Sequence, residues 1–215
     1  MRGFLRIAMV ATAASLLLFG AASRSDAADP PAASDEVVAG KAAQLRNDGI
    51  SQVFGNPNGD VVIVEFFDYV CPFCKAVEPR LQDLVKADKN VKIVIKEFPI
   101  LTPQSLIATK AALAAVRQGK YEAFHHALMA YRGRLTEQDV FDTAKTVGLN
   151  IAKLKKDMED PKIQEAVYAN LNLARSLRIF QTPTFIVNNH IQTEASASLD
   201  FPKLVAAARA TKPAG

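Results

Sequence analysis

The chain has 215 residues, of which 49% are hydrophobic and 22% charged, an ordinary globular composition and enough for one sizeable domain. Its net charge of +4 comes from 26 basic and 22 acidic side chains. Three of those bases (Arg2, Arg6, Arg24) and one acid (Asp26) lie in residues 1–27; without them the balance is 23 to 21, or +2, which sets nucleic acid aside as a partner.

Arg2 and Arg6 precede an apolar run over residues 7–19, and small residues follow. This is the layout of a secretory signal peptide, with Ser25 and Ala27 at −3 and −1, so cleavage is expected after Ala27. An uncleaved anchor is the alternative, but the run is shorter than the ~20 apolar residues that span a bilayer. No later segment is long and apolar enough to span. The chain is therefore expected to be exported, and the periplasm is the address that the family resemblance given below implies.

Residues 28–34 are rich in Ala and Pro and read as a leader. Residues 35–47 carry helical spacing, with Val37, Val38, Ala42 and Leu45 near one face, until Asp48-Gly49 breaks it. Such a helix could pack on the domain or pair with a second subunit; the oligomeric state is left open. Gln52-Val53-Phe54 predicts a short strand, and residues 55–60 are dense in turn formers. Val61 to Phe67 is a β-branched and aromatic run, the pattern of a strand covered on both faces. A helix opens at Cys71, with Pro72 at its first position and Pro79 as an expected kink. Residues 91–98 predict another strand, alternating Val91, Ile93 and Ile95 with Lys92, Val94 and Lys96. Together these make a βαβ unit with a right-handed crossover.

About eighty residues of helical spacing follow. Thr102-Pro103 predicts a capped helix to about Gln118, and a second runs from Tyr121 to about Tyr131. Thr136-x-x-Asp139 has the form of a capping box, and Asp160-Pro161 caps a longer helix to about Leu177. Strands return at Thr184 to Val187, Asn188-Asn189 suits a tight hairpin turn into His190-Ile191, and residues 200–210 close the chain as a helix.

The only two cysteines are Cys71 and Cys74, spaced C-x-x-C. A structural disulfide over so short a loop would contribute only about 2 kcal/mol, against ~3 for a fifteen-residue loop. A structural zinc site wants four ligands, and adjacent His125 and His126 project about 100° apart on a helix, so no metal and no cofactor is expected. Redox exchange fits the context better. Cys71 follows an apolar strand and begins a helix, where unpaired N–H groups and the dipole stabilise a thiolate. Cys74 lies one turn further in, within reach and more buried.

Glu65 sits inside the apolar strand. If buried, it would have a raised pKa and could handle the proton of Cys74; the residues alone leave an exposed placement equally open. Lys96, on the neighbouring strand, could pair with it. Thr182-Pro183 precedes the returning strand, and from the residues alone a trans proline is expected. His125 and His126 read as a solvated face or satisfied helical positions, and Lys153, Lys155 and Lys156 as solvent-facing.

At this point the chain resembles a known family. The segment from Phe66 through Cys71-Pro72-Phe73-Cys74 to Lys75 is similar to the active-site segment of DsbA-like periplasmic thiol–disulfide oxidoreductases. Residues 96–101 and Gln181-Thr182-Pro183-Thr184-Phe185 are similar to two further blocks. The resemblance, over residues 56–209, implies an α/β thioredoxin fold with an all-helical domain inserted between the strand–helix–strand half and the terminal hairpin–helix half. The expected divisions are a leader and short helix over 28–51, the first half over 52–101, the insert over 102–178, and the second half over 179–211. It also implies a cis Pro183 facing the cysteines, a substrate segment held by the Thr182 backbone, and a buried Glu65. Phe73 stands where the best-known DsbA has histidine, and residues 188–197 lack the glycines expected in the terminal hairpin.

The function implied is exchange of the Cys71–Cys74 disulfide with thiol-bearing or unfolded exported proteins, with the chain as donor and a DsbB-like membrane oxidase restoring it. The reverse reading is an isomerase or reductase kept reduced by a DsbD-like donor. A noncatalytic chaperone and a copper-binding module are alternatives of another class.

Overall fold

The computed structural model describes residues 31–211, so the expected signal peptide and its cut after Ala27 lie outside the described residues. The fold is organised by the apolar strand β2 (Val61–Phe67), at the centre of a five-stranded mixed sheet. It runs parallel to β3 (Val91–Glu97) and antiparallel to β4 (Thr184–Val187). The edges are β1 (Gln52–Gly55), antiparallel to β3, and β5 (His190–Ile191), paired with β4. The order β1-β3-β2-β4-β5 places a βαβ unit beside a returning hairpin, the thioredoxin arrangement expected from the resemblance. Asn188 takes φ 53° in the two-residue turn between β4 and β5. At the other edge Gly55 takes φ 77°, and a Cβ there would come within 2.5 Å of the Val91 carbonyl.

Because side chains alternate along a strand, β2 and β3 feed two cores. Ile63, Phe67, Ile93 and Ile95 face α3 (Pro72–Ala87) and the helical block; Val64, Phe66 and Val94 face the opposite layer. All seven residues of β3 are buried, so the lysines in its alternating pattern do not mark a solvated face. Helix α3 continues through Pro79.

The expected amino-terminal helix is two short ones, α1 (Asp35–Ala39) and α2 (Ala42–Arg46), parted at Gly40-Lys41. They pack on this chain's own sheet, with Val38 and Leu45 wholly buried against Val64, Val94 and Ile186. Asp48, just beyond α2, meets Lys96, which corrects the expected pairing of Lys96 with Glu65. In the β2–β3 register Glu65 lies opposite Ile95, and Lys96 opposite Phe66, so the two charges point to different faces. Lys96 Nζ, completely buried, donates to Asp48 Oδ2 at 2.5 Å and to the Gln44 carbonyl at 2.6 Å.

Between β3 and β4 run α4 (Pro103–Ala115), α5 (Tyr121–Ala130), α6 (Glu137–Thr146), α7 (Ile151–Met158) and α8 (Pro161–Ser176); α9 (Phe201–Ala210) closes the chain. Thr102 and Thr136 form the capping boxes, with Ser105 and Asp139, and Asp160 caps α8. Helix α7, capped by Asn150, was not expected separately; its eight residues bury only Leu154 and Met158. The buried alanines of α4 allow close approach of α5, α6, α7 and α8. Among the described residues no helix is long and apolar enough to cross a membrane.

Removing Asp48 leaves the Lys96 ammonium buried with a single carbonyl partner. Asp48→Ala is expected to lower stability by about 3 kcal/mol, the range for breaking a buried ion pair. Adding Lys96→Met should recover most of it. Urea unfolding of the single and double variants measures both; a double variant no more stable than the single would contradict the pairing.

Candidate active site

The strand β2 ends at Phe67, and the chain turns at once into α3. Asp68 shapes the turn: Oδ1 accepts from Val70 N at 2.9 Å, and Oδ2 accepts from Ile100 N at 3.0 Å and Leu101 N at 3.1 Å. The Asp68 carbonyl accepts from Cys71 N at 3.1 Å. Cys71 is thereby held as the N-cap of α3, with φ −70° and ψ 118°, and Pro72 begins the helix without an N–H to satisfy. Cys71 Sγ accepts from Cys74 N at 3.4 Å and lies 3.3 Å from the Thr182 carbonyl. The Thr182-Pro183 peptide is cis, as the resemblance implied and against the trans form expected from the residues alone. Both cysteines are free thiols; Cys74 is wholly buried, Cys71 is 2% exposed, and Phe73 stands out at 62% exposed.

The two thiols are driven apart. The hydrogen bond from Cys74 lowers Cys71 to about 6, with burial opposing and the N–H groups of Cys74 and Phe73 adding to the lowering. Burial pushes Cys74 far up, as do its hydrogen bond to Cys71 and the charge of Glu65. At neutral pH Cys71 is the thiolate and Cys74 keeps its proton. That is the division a thiol-exchange pair requires.

Glu65 is fully buried on the α3 side of the sheet, and neither carboxyl oxygen has a hydrogen-bond partner among the described residues. Burial pushes its pKa well above the usual carboxylate range, and the charges of Glu78 and Cys71 push it further. A neutral carboxyl near a buried thiol can exchange a proton with it. Lys96, on the other face, takes no part.

A polar network beneath the pair was not expected from the sequence. Buried Glu97 accepts from Tyr69 Oη at 2.9 Å, Tyr121 Oη at 2.7 Å and Thr109 Oγ1 at 2.8 Å. Burial pushes Glu97 up to about 7, against these hydroxyls. Tyr69 Oη also lies 3.1 Å from His125 Nδ1, and Glu78, on α3, faces both His125 and His126. His126 is half-buried, but His125 is completely buried and edges against Phe67 and Phe54, so of the two expected readings His125 is the satisfied helical position and not the solvated face. Burial pushes Glu78 up, yet the imidazoles outweigh it and hold the acid well below its usual range. The available signal was an acid at Glu78 on the otherwise apolar stripe of α3.

With this geometry in view, the comparisons agree. Residues 62–206 match the model of the DSBA-like thioredoxin domain. The chain belongs to that family. A thioredoxin-like oxidoreductase from Silicibacter pomeroyi is 41% identical, with a TM-score of 0.74 over 79% of this chain and 98% of that one. The thiol-disulfide exchange protein alpha-DsbA2 of Wolbachia pipientis is 26% identical, with a TM-score of 0.74 over 83% of this chain and 95% of that one. A curated relative, the Na(+)/H(+) antiporter NhaA 1 of Salinispora arenicola, is 28% identical over 138 residues, 63% of this chain. This chain spans only about a fifth of the length of such antiporter relatives. The DsbA-like chain therefore carries the fold and the C-x-x-C pair of a protein-disulfide oxidoreductase.

Thiolate absorbance of the reduced protein is expected to rise with pH about a midpoint near 6, from Cys71 alone. Because the Cys74 hydrogen bond is the largest cause, Cys74→Ala should move that midpoint upward. Folded Cys71 ionises below its unfolded value, so its stabilising effect is present above the unfolded pKa and lost as pH falls through about 6. An ordinary midpoint near ~8.5, the free-cysteine value, would refute the assignment.

Proposed function

We propose that this DsbA-like chain donates the Cys71–Cys74 disulfide to exported proteins. The observation that carries the reading is the split between the thiols, with Cys71 lowered to about 6 and Cys74 raised. A stabilised thiolate favours the reduced pair, which makes the disulfide oxidising. A substrate thiolate attacks Cys71 Sγ, the S–S bond breaks, and Cys74 leaves as a thiolate that takes a proton from neutral Glu65. A second substrate thiolate then attacks the substrate sulfur of the mixed disulfide. Cys71 departs as a thiolate, and the substrate is oxidised by two electrons as the pair is reduced.

The surroundings of Cys71 suit an unfolded, thiol-bearing polypeptide. Thr182 stands against Cys71, where its backbone can add an extended segment by strand-like hydrogen bonds. Exposed Phe73, Leu101 and Phe180 flank the same loops and offer apolar contact. Export through the amino-terminal signal, cleavage after Ala27, and re-oxidation by a DsbB-like membrane oxidase complete the proposal. We also retain residues 52–101 and 179–211 as one thioredoxin unit interrupted by an insert over 102–178.

One observation favours the reverse direction, as a reductase or isomerase served by a DsbD-like donor. A Cys71 value near 6 is closer to thioredoxin, at about 7, than to DsbA, at about 3.5. The corresponding potentials run from about −270 to about −120 mV, roughly 7 kcal/mol apart. Equilibration with glutathione decides between them. A potential above about −180 mV, the isomerase value, is expected for the donor, and one near thioredoxin's would turn the assignment to reductase. In cells, Cys74→Ala should accumulate mixed disulfides at Cys71; none at all would argue for a noncatalytic module.

Glu65→Gln keeps the size of the side chain but removes its acid. Release of Cys74 in stopped-flow oxidation of a dithiol is expected to slow by about tenfold to a hundredfold, within the range of general acid–base catalysis or just below it. The thiolate midpoint of Cys71 should stay near its original value. An unchanged rate would remove Glu65 from the mechanism.

A further inference from the structure

Glu78, His125 and His126 touch neither sulfur, yet they converge. One ligand atom from each lies within 4.8 Å of the others, Glu78 and His125 being buried and His126 reaching the surface beside Glu122. Adjacent histidines leave a helix about 100° apart, which counts against a shared site when only the backbone is considered. Two features overcome that divergence. Phe54 of β1 packs against both imidazoles, with centroids at 5.0 and 5.1 Å, and Glu78 enters between them from the facing helix α3.

Donor accounting assigns the roles of their polar atoms. Tyr69 donates its one proton to Glu97 Oε1, which leaves its oxygen to accept from the Nδ1–H tautomer of His125, 3.1 Å away. In that tautomer Nε2 of the neutral ring turns a lone pair toward Glu78 Oε2, 3.4 Å away, and is free to ligate. On the other side His126 Nδ1 lies 2.6 Å from Glu78 Oε1. The Gln82 amide reaches both, at 2.9 Å to Glu78 Oε1 and 3.2 Å to His126 Nδ1.

We infer that Glu78, His125 and His126 form a binding site for one divalent first-row metal ion of the zinc type. Two imidazoles and a carboxylate are a suitable donor set, and three protein ligands leave a fourth position for water. Metal–ligand bonds of about 2.0 Å in a tetrahedron separate ligand atoms by about 3.3 Å. The His125–Glu78 pair already stands at 3.4 Å, while the 2.6 Å pair must open and the flexible Gln82 amide withdraw. The Glu97–Tyr69–His125 chain supplies the outer hydrogen bond that fixes which imidazole nitrogen faces the metal. The half-buried His126 gives the ion a route from solvent.

Thiolates bind zinc themselves, so the test removes the sulfurs. Cys71→Ser/Cys74→Ser protein should take up one equivalent of Zn2+ in competition with a chromophoric chelator. Co2+ should give the visible bands of a four- or five-coordinate nitrogen–oxygen site. Glu78→Gln and His126→Ala in that background should each weaken Zn2+ at least about tenfold, and Tyr69→Phe, acting through His125, by a similar factor. Circular dichroism melting without metal checks each fold, and any one folded variant decides. No Zn2+ uptake by the cysteine-free protein, or undiminished uptake in a folded Glu78 or His126 variant, overturns the inference.

Discussion

The hydrogen bonds and dipole at the first turn of α3 hold a negative sulfur at Cys71, and the rest of the structure serves to keep that turn in place. Cys71 is the cap of the helix, so the interaction that completes the helix also lowers the thiol. Asp68 ties the turn to the strand behind it and to the loop at Ile100 and Leu101. The sheet register sets the opposite wall: β4 pairs with β2, which brings Thr182 to Cys71 from more than a hundred residues away.

The cores on the two sides of the sheet handle buried charge differently. On the α1–α2 side, Lys96 is neutralised by Asp48, and the pair fastens the amino-terminal segment to the sheet. On the α3 side, acids are gathered without a buried lysine or arginine among the described residues. Glu97 is held by three hydroxyls, Glu78 by two imidazoles, and Glu65 by nothing. An unpartnered buried carboxyl is costly and rare, and this one lies close enough to Cys74 for its charge to act on the thiol. The helical block is part of this arrangement because α4 and α5 supply Thr109, Tyr121 and both histidines.

Much of this was legible in the sequence because it depends on neighbours in the chain. Strand β2 is written in its β-branched run, the caps at Thr102, Thr136 and Asp160 in their own hydroxyl or carboxylate, and the C-x-x-C thiols in a strand-to-helix junction. Where the sequence reading failed, the deciding contact lay far along the chain. The first helix is parted where the chain leaves helical geometry at Lys41, between Val38 and Leu45, which both dock on the sheet. The face taken by Lys96 follows from register, and a slip of one residue would carry it from the side of Asp48 to the side of Glu65.

Local chemistry thus determined the elements, their caps, and which two sulfurs form the reactive pair, since helix initiation and C-x-x-C spacing act over a few residues. Only the tertiary structure decided how far the pair is split and that Thr182 completes its wall. It likewise decided which acid meets which base, because burial, desolvation and hydrogen bonding across the sheet are set by residues that meet only when the chain is folded.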